Sequence, residues 1–296
     1  MNRYSEFNFK RIKIFLKNRY PKLNFKRVKI FNKSVIKFDS KVVKSESNKF
    51  HIIFSDIEKL YEIYGKKYIP NYTYLTSPHL YCYDFIPGKP LYEFKINFLN
   101  KRKFYKSTLT FIKKTIHITE DFLFKIKKEN ILNCDILDGN IFRLMKTYTK
   151  YRKILNRKDV KLVDKIVKIN SEIKNITQPS NKKILYYHDF NFHNFIVDKK
   201  HNINRIDLTQ GLSFADFNSC IPLYFMLLWY TGDKTLVKKG IQDCNINDLN
   251  DIILKKSLIF FCYKKISFAI ETDTPICKIE KNIFDKNIYK YVEELS

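Results

Sequence analysis

Asp189, Asn194 and Asp207 are the residues of this sequence whose types and spacing suit them to chemistry. They lie in Tyr187-His188-Asp189-Phe190-Asn191-Phe192-His193-Asn194, which runs on through Phe195-Ile196-Val197-Asp198 to Arg205-Ile206-Asp207-Leu208. Asp189 and Asn194 are five apart in a polar loop between two strand-like runs, and Asp207 closes the next strand. Phosphoryl transfer needs a carboxylate to orient an acceptor hydroxyl and take its proton. It also needs oxygen ligands for Mg²⁺, which favours carboxylate and amide oxygens and fills its remaining positions with water and phosphate. One Asp for the acceptor, with an Asn and a second Asp for the metal, make up that set. Taken singly, each is also an ordinary turn residue, because Asn and Asp favour turns. His188 and His193 are metal-ligand types too, but no third ligand stands at a suitable spacing.

The segment resembles the catalytic loop of the aminoglycoside phosphotransferase and choline kinase family, whose pattern is H-x-D-x-x-x-x-N followed by I-D-F/W. The resemblance implies Asp189 as catalytic base, Asn194 and Asp207 as Mg²⁺ ligands, and ATP as phosphate donor. Two positions depart from the pattern: Tyr187 stands where the family has its loop-bracing His, and Leu208 where it has an aromatic. Asp216, in Phe214-Ala215-Asp216-Phe217, resembles a later Asp that anchors the loop. Upstream, Val42-Val43-Lys44 resembles the third-strand lysine that contacts the α- and β-phosphates, with Lys41 as its rival, and Glu58 resembles the helix-borne ion-pair partner of that lysine. Ser55-Asp56-Ile57-Glu58 also has the form of a capping box, which accounts for Glu58 without catalysis. Tyr83-Asp84-Phe85-Ile86-Pro87-Gly88 resembles the inter-lobe hinge, which implies that backbone groups of Asp84 and Ile86 bind adenine. No glycine precedes Gly65, so Asn32 to Ser34 would have to cover the phosphates.

Elements that would position these groups follow from pattern. Val28–Phe31, Val35–Phe38 and Lys41–Lys44 alternate around Asn-Lys-Ser and Asp-Ser turns, which predicts an antiparallel meander. Ser55 opens a helix through Tyr64, Pro70 and Pro78 bracket an extended stretch, and Leu80–Phe85 reads as a strand ending in the turn Ile86-Pro87-Gly88. From about residue 92 the pattern is mainly helical: Leu109, Ile112 and Ile116 share one face, as do Leu162, Ile166, Ile169 and Ile173. A small β unit follows, from Ile184–Tyr187 to Phe195–Val197 and, after a Lys199–Asn202 turn, Ile203–Leu208. Apolar helices are expected over about 216–230 and 248–269. The pattern gives an α+β chain with a basic extension over 1–25, a small β-rich N-lobe over 26–86 and a mainly helical C-lobe over 87–296, and the resemblance implies that it is bilobal and protein-kinase-like.

Composition narrows the remaining classes. The 296 residues carry a formal charge of +26, and residues 1–50 hold fifteen Lys or Arg against three acidic side chains. Such charge suits a polyanion such as RNA or an anionic glycan. Only two alanines occur, beside many Lys, Asn, Ile, Phe and Tyr, the profile an AT-rich genome produces by codon usage alone. The six cysteines are scattered without a CxxC pair, which fits reduced thiols and a cytoplasmic protein. The longest apolar run, Ile221–Tyr230, is too short for a bilayer span of roughly 18 residues or more, and no signal-peptide pattern opens the chain. The acceptor classes left open are a small alcohol (amino sugar, aminoglycoside, choline-like compound or glycan precursor) and a polyanion. A non-catalytic, kinase-like basic binding module is the alternative of a different kind. For a cationic acceptor, Glu271, Asp273, Glu293 and Glu294 are the acidic residues that would have to gather.

Overall fold

Strand alternation near the N-terminus builds a five-stranded antiparallel sheet in the computed structural model of the protein. The structure describes residues 14, 16–22, 28–32, 35–45, 73–77, 80–122, 131–132, 157–174, 180–187, 190–206, 212–246, 250–271 and 289–294. The sheet has the order β1-β2-β3-β5-β4, with β1 at Val28–Asn32, β2 at Val35–Phe38, β3 at Lys41–Ser45, β4 at Thr73–Ser77 and β5 at Leu80–Asp84. The expected meander is present, and Asp39 turns β2 into β3 at φ 50°, a left-handed conformation that Asp tolerates. The capping-box segment with Glu58 lies outside the described residues.

Because side chains alternate across a strand, the register sorts this sheet into two faces. Val35 pairs with Lys44, and Val42 with both Lys37 and Tyr83. Val42 and Tyr83 join the main core, so this face looks toward the helical part of the molecule. On the opposite face, Ile36, Phe38, Val43 and Cys82 are buried, together with Leu16 from the helical turns just before Tyr20.

After Asp84 the chain runs uncoiled through 85–87 and then pairs again. Strand β6, Gly88–Pro90, lies antiparallel to β9, Phe195–Asp198, which in turn pairs with β10, Ile203–Arg205. Gly88 is thus a strand residue and not the end of a turn. β10 stops at Arg205, short of the Leu208 expected from the sequence, and 207–211 lie outside the described residues. A second three-stranded sheet has β11, Leu212–Asp216, between β7, Ile131–Leu132, and β8, Lys183–Tyr187.

The helices supply the core. Helix α1 (Phe98–Phe122) opens with Asn97 and Asn100 each accepting the other's backbone N–H, at 3.1 and 2.9 Å. It buries Phe104, Leu109, Phe111 and Ile112. Helix α2 (Arg157–Lys174) buries Leu162, Ile166, Ile169 and Ile173, as their spacing predicts. Helix α3 (Phe217–Phe225) passes into a 3-10 segment, Met226–Thr231, so the expected helix over 216–230 is split. Every residue from Ile221 to Tyr230 is at most 1% exposed wherever it is hydrophobic. Burial at roughly 1.5–3 kcal/mol per large apolar side chain makes this stretch a principal source of core stability. Asp233 caps α4 (Lys234–Asp243), and α5 (Asn250–Glu271) packs against α2, α3 and α4. Trp229, fully buried, donates its indole N–H to Ser257 at 2.8 Å. Among the described residues no helix is long and apolar enough to cross a membrane.

Candidate functional site

Strand β8 delivers the chain to the predicted catalytic loop, and its exposed edge is closed by side chains. The Leu185 N–H donates to Thr119 Oγ1 at 3.1 Å, and the Leu185 carbonyl accepts the Tyr224 hydroxyl. Both outward backbone groups of Leu185, at the middle of this edge strand, are thereby satisfied. Thr119 and Tyr224 belong to α1 and α3, so two core helices fix the approach to the loop.

Tyr187 ends β8 at 1% exposure. The buried Arg205 guanidinium lies 5.2 Å above its ring and 5.0 Å above that of Phe195. Where the family pattern has a bracing His, this chain therefore packs an aromatic ring beneath an arginine of the following hairpin. Phe190 resumes the described chain and sinks against Phe195 and Tyr224, with centroids 4.9 and 5.1 Å away. Asp189 stands between Tyr187 and Phe190 in sequence, and lies outside the described residues, as does His188.

A single 3-10 turn, Phe192–Asn194, follows, closed by the Asn194 N–H on the Asn191 carbonyl at 3.0 Å. Phe192 anchors it between Tyr230 and Phe261, at 5.0 and 5.8 Å. Asn194 is 2% exposed. Its carbonyl accepts the N–H of Ile206 at 2.8 Å, so the residue immediately before Asp207 is fastened to the predicted metal-binding Asn. Asp207 itself lies outside the described residues. Among the described residues no group of three or more His, Cys, Asp or Glu forms a metal cluster.

The β9–β10 turn between these points is held by Asp198, which accepts from the N–H groups of Lys200 and Asn202, each at 2.8 Å, and from the Asn202 side chain at 2.9 Å. Burial raises the Asp198 pKa, but these hydrogen bonds outweigh it and hold the carboxyl below its ordinary value. Gly88 crosses β9 so closely that a Cβ would fall 2.4 Å from the Val197 carbonyl oxygen. The hinge and the loop-bearing hairpin are thus in backbone contact.

The hinge residues separate by face. Asp84 directs its carboxylate to Lys41, its cross-strand partner, and Lys41 also lies 4.4 Å above the Tyr20 ring. This pair belongs to the face turned from the main core. Lys44, by alternation with Val43, lies on the face of Val42 and Tyr83, which turns toward it. Lys37 covers the Phe85 ring at 3.5 Å. Ile86 is partly buried in the 85–87 connection, and the Phe85 N–H donates to Ser40 at 2.8 Å. Of the segment expected to cover the phosphates, Asn32 ends β1, while residues 33–34 lie outside the described chain. Asp216 accepts from the N–H of Ser219 at 3.0 Å and of Ser180 at 2.6 Å, which caps α3 and ties it to the entry of β8. Asp216 thus holds the start of the strand whose other end enters the loop.

Beside the 3-10 turn is a shallow, solvent-open cleft with about 20 Å³ of enclosed space, lined by Tyr92, Asn191, Phe192, His193, Lys264, Ser267 and Phe268. Lys264 Nζ donates to Asn191 Oδ1 at 3.0 Å. Tyr92 lies 5.5 Å from Phe268 and 6.5 Å, edge-on, from His193. Burial first, and the adjacent Glu93 carboxylate second, push the Tyr92 phenol up to about 12, so it stays protonated. Sequence reasoning assigned no role to Tyr92, Lys264, Ser267 or Phe268.

No protein-family model and no curated protein matches the chain. Solved structures do match across nearly all of it. The GDP complex of aminoglycoside 2'-phosphotransferase-IIIa superposes with a TM-score of 0.59 at 13% identity, over 97% of this chain and 98% of the other. The AMP-bound complex of spectinomycin phosphotransferase gives 0.57 at 12%, over 97% and 94%. Choline kinase from Cryptosporidium parvum Iowa II gives 0.50 at 11%, over 91% and 88%. The chain has the protein-kinase-like α+β fold of these phosphotransferases.

Proposed function

We propose that the protein is a phosphotransferase that moves the γ-phosphate of ATP to an alcohol, with Asp189 as base. The observation that carries the reading is the 2.8 Å bond from the Ile206 N–H to the Asn194 carbonyl, in a chain with the fold of nucleotide-bound phosphotransferases. It ties Asn194 to the residue that immediately precedes Asp207 in sequence. Asn194 and Asp207 would hold Mg²⁺; one amide and one carboxylate oxygen are the hard donors that ion accepts, and bound there it would neutralise charge on the phosphates.

Asp189 accepts the proton of the acceptor hydroxyl while the acceptor oxygen bonds to the γ-phosphorus and the bond to ADP breaks. Lys44, on the sheet face turned to the core, is the candidate for the α- and β-phosphates, with Glu58 as its proposed partner. Backbone groups of Asp84 and Ile86 would meet the adenine. The division between a nucleotide-binding N-lobe and a catalytic C-lobe falls within the 85–87 connection, with Gly88 already paired to the C-lobe hairpin. Positioning and electrostatics supply most of the catalysis in such a site.

Calorimetric titration with MgATP tests the reading. Wild type should bind, and Asp207→Ala should lose Mg²⁺-supported binding; equal affinities in the two would remove Asp207 from the site.

A further inference from the structure

Helix α1 begins with an outer face that the fold leaves uncovered. Its contribution to the core starts at Phe104 and Tyr105, both buried. The turn before them is closed by polar groups: Asn97 and Asn100 cap each other, and the Asn100 amide donates to the Lys95 carbonyl at 3.0 Å. Phe98 and Leu99 stand in this turn at 87% and 89% exposure, far above any other large apolar side chain among the described residues. Single exposed apolar residues are ordinary on a protein surface, but an adjacent pair this bare forms a patch.

Helical spacing sets cations behind the pair. Arg102 lies four residues after Phe98, Lys103 four after Leu99, and Lys106 one turn further on, all exposed. Long helical side chains lean toward the N-terminus, so these cations reach back over the first turn. Exposed Lys95 precedes it. From Phe94 to Thr119 the sequence holds no Asp or Glu. The carboxylates nearest this part of the helix are engaged: Asp233 pairs with Lys101 at 2.7 Å, Asp243 accepts the Tyr105 hydroxyl at 3.1 Å, and Glu93 acts on Tyr92. Among the described residues no carboxylate forms an ion pair with Lys95, Arg102, Lys103 or Lys106.

The mixture of charge and bare apolar surface selects the occupant. Two copies of this face brought together would set cation against cation, which disfavours self-association through it. A nucleic-acid strand would use the cations, but Leu99 offers no ring on which a base could stack. An anionic bilayer surface uses both parts, with phosphates for the cations and the headgroup–acyl boundary for the apolar pair. We propose that the start of α1 docks the protein on an anionic lipid surface, with Phe98 and Leu99 inserted and Arg102, Lys103 and Lys106 lying against lipid phosphates. No helix among the described residues can cross a membrane, so the attachment is peripheral. The proposal stands apart from the phosphotransferase reading, and either can fail alone.

The test is co-sedimentation of the full-length protein with vesicles of phosphatidylcholine, alone or with about one quarter phosphatidylserine. Wild type should partition onto the mixed vesicles about tenfold or more tightly than onto the neutral ones. Phe98→Ser with Leu99→Ser, which leaves the charge unchanged, should lose about tenfold of that partitioning. Arg102→Gln with Lys103→Gln and Lys106→Gln should lose as much and flatten its salt dependence. Lys161→Gln with Lys182→Gln and Lys200→Gln removes the same charge from exposed positions on other elements and should keep the binding. Phe98→Trp adds a direct readout, because Trp229 is fully buried in the core. A blue-shifted emission that appears with mixed vesicles and is quenched by brominated acyl chains reports insertion at position 98. The proposal is overturned if wild type prefers neither vesicle, if Phe98→Ser with Leu99→Ser leaves partitioning unchanged, or if the charge-matched control loses as much as the α1 variant. It falls equally if the α1 substitutions instead weaken binding to a single-stranded RNA that displaces the protein from vesicles, or dissolve a dimer seen in sedimentation velocity. Either result would name a different occupant.

Discussion

The N–H of Ile206 donates to the carbonyl of Asn194 at 2.8 Å, across the mouth of the β9–β10 hairpin. Arg205 faces Phe195 one step further in, so this bond extends the ladder to the loop side of the hairpin. The turn carrying Asn194 and the strand end leading to Asp207 therefore move as one unit.

That arrangement predicts a split between chemistry and binding. Asp189→Asn should lower kcat by roughly 10²-fold or more, since a positioned base contributes about that much, with MgATP affinity nearly unchanged. Steady-state turnover against pooled alcohols and sugar acids, paired with nucleotide titration, measures both. Wild-type turnover in the variant would exclude Asp189 as base.

The two lysines of β3 should behave differently because they occupy opposite faces. Lys44→Met should weaken nucleotide binding on the order of tenfold, the loss of one charged phosphate contact. Lys41→Met should leave the nucleotide affinity alone and lower the melting temperature by a few degrees at most, as its pair with the half-exposed Asp84 is worth little. Reversed phenotypes would transfer the phosphate role to Lys41.

Gly88→Ala should destabilise the protein by about 1–3 kcal/mol, the usual cost of an added methyl with no room. Here the new Cβ would meet the Val197 carbonyl oxygen, which is backbone and cannot rotate aside. Urea denaturation midpoints report the loss. An unchanged midpoint would mean that the β6–β9 contact is looser than its geometry.

Asp198 gives the hairpin a pH signature. Its folded pKa lies below the ordinary 3.8, so the stabilisation is complete above the unfolded value and fades as pH falls through the folded one. The gap in urea midpoint between wild type and Asp198→Ala should be constant above about pH 5 and narrow below 3.8. A gap independent of pH down to 3 would show that the carboxylate's charge is irrelevant to the turn.

Local patterns carried much of this into the sequence. The β1–β3 meander and the β9–β10 hairpin were legible because alternation and short polar turns are short-range signals. Lys41 and Lys44 could not be separated, since both end in an ammonium and only cross-strand register tells which face each takes. β11 was missed because Leu212-Ser213-Phe214-Ala215 runs directly into an apolar helix and its partner strand ends 25 residues earlier. α4, rich in Lys with Gly240 inside it, offered only the Asp233 cap as a signal. Lys264 was invisible for a similar reason: α5 reads as a continuous apolar helix, and its meeting with Asn191 joins positions 73 residues apart.

The backbone bonds on either side of the hinge also define its mechanics. Phe85 is tied back to Ser40 in the first sheet, and Gly88 is already paired with Asp198 in the hairpin. Along this connection, rotation of one lobe against the other must be absorbed by the torsions of Phe85, Ile86 and Pro87, and the proline contributes only its ψ. The connection behaves as a short, stiff axle: it favours a narrow rocking motion and carries any torque straight into β9, the strand that follows the Phe192–Asn194 turn.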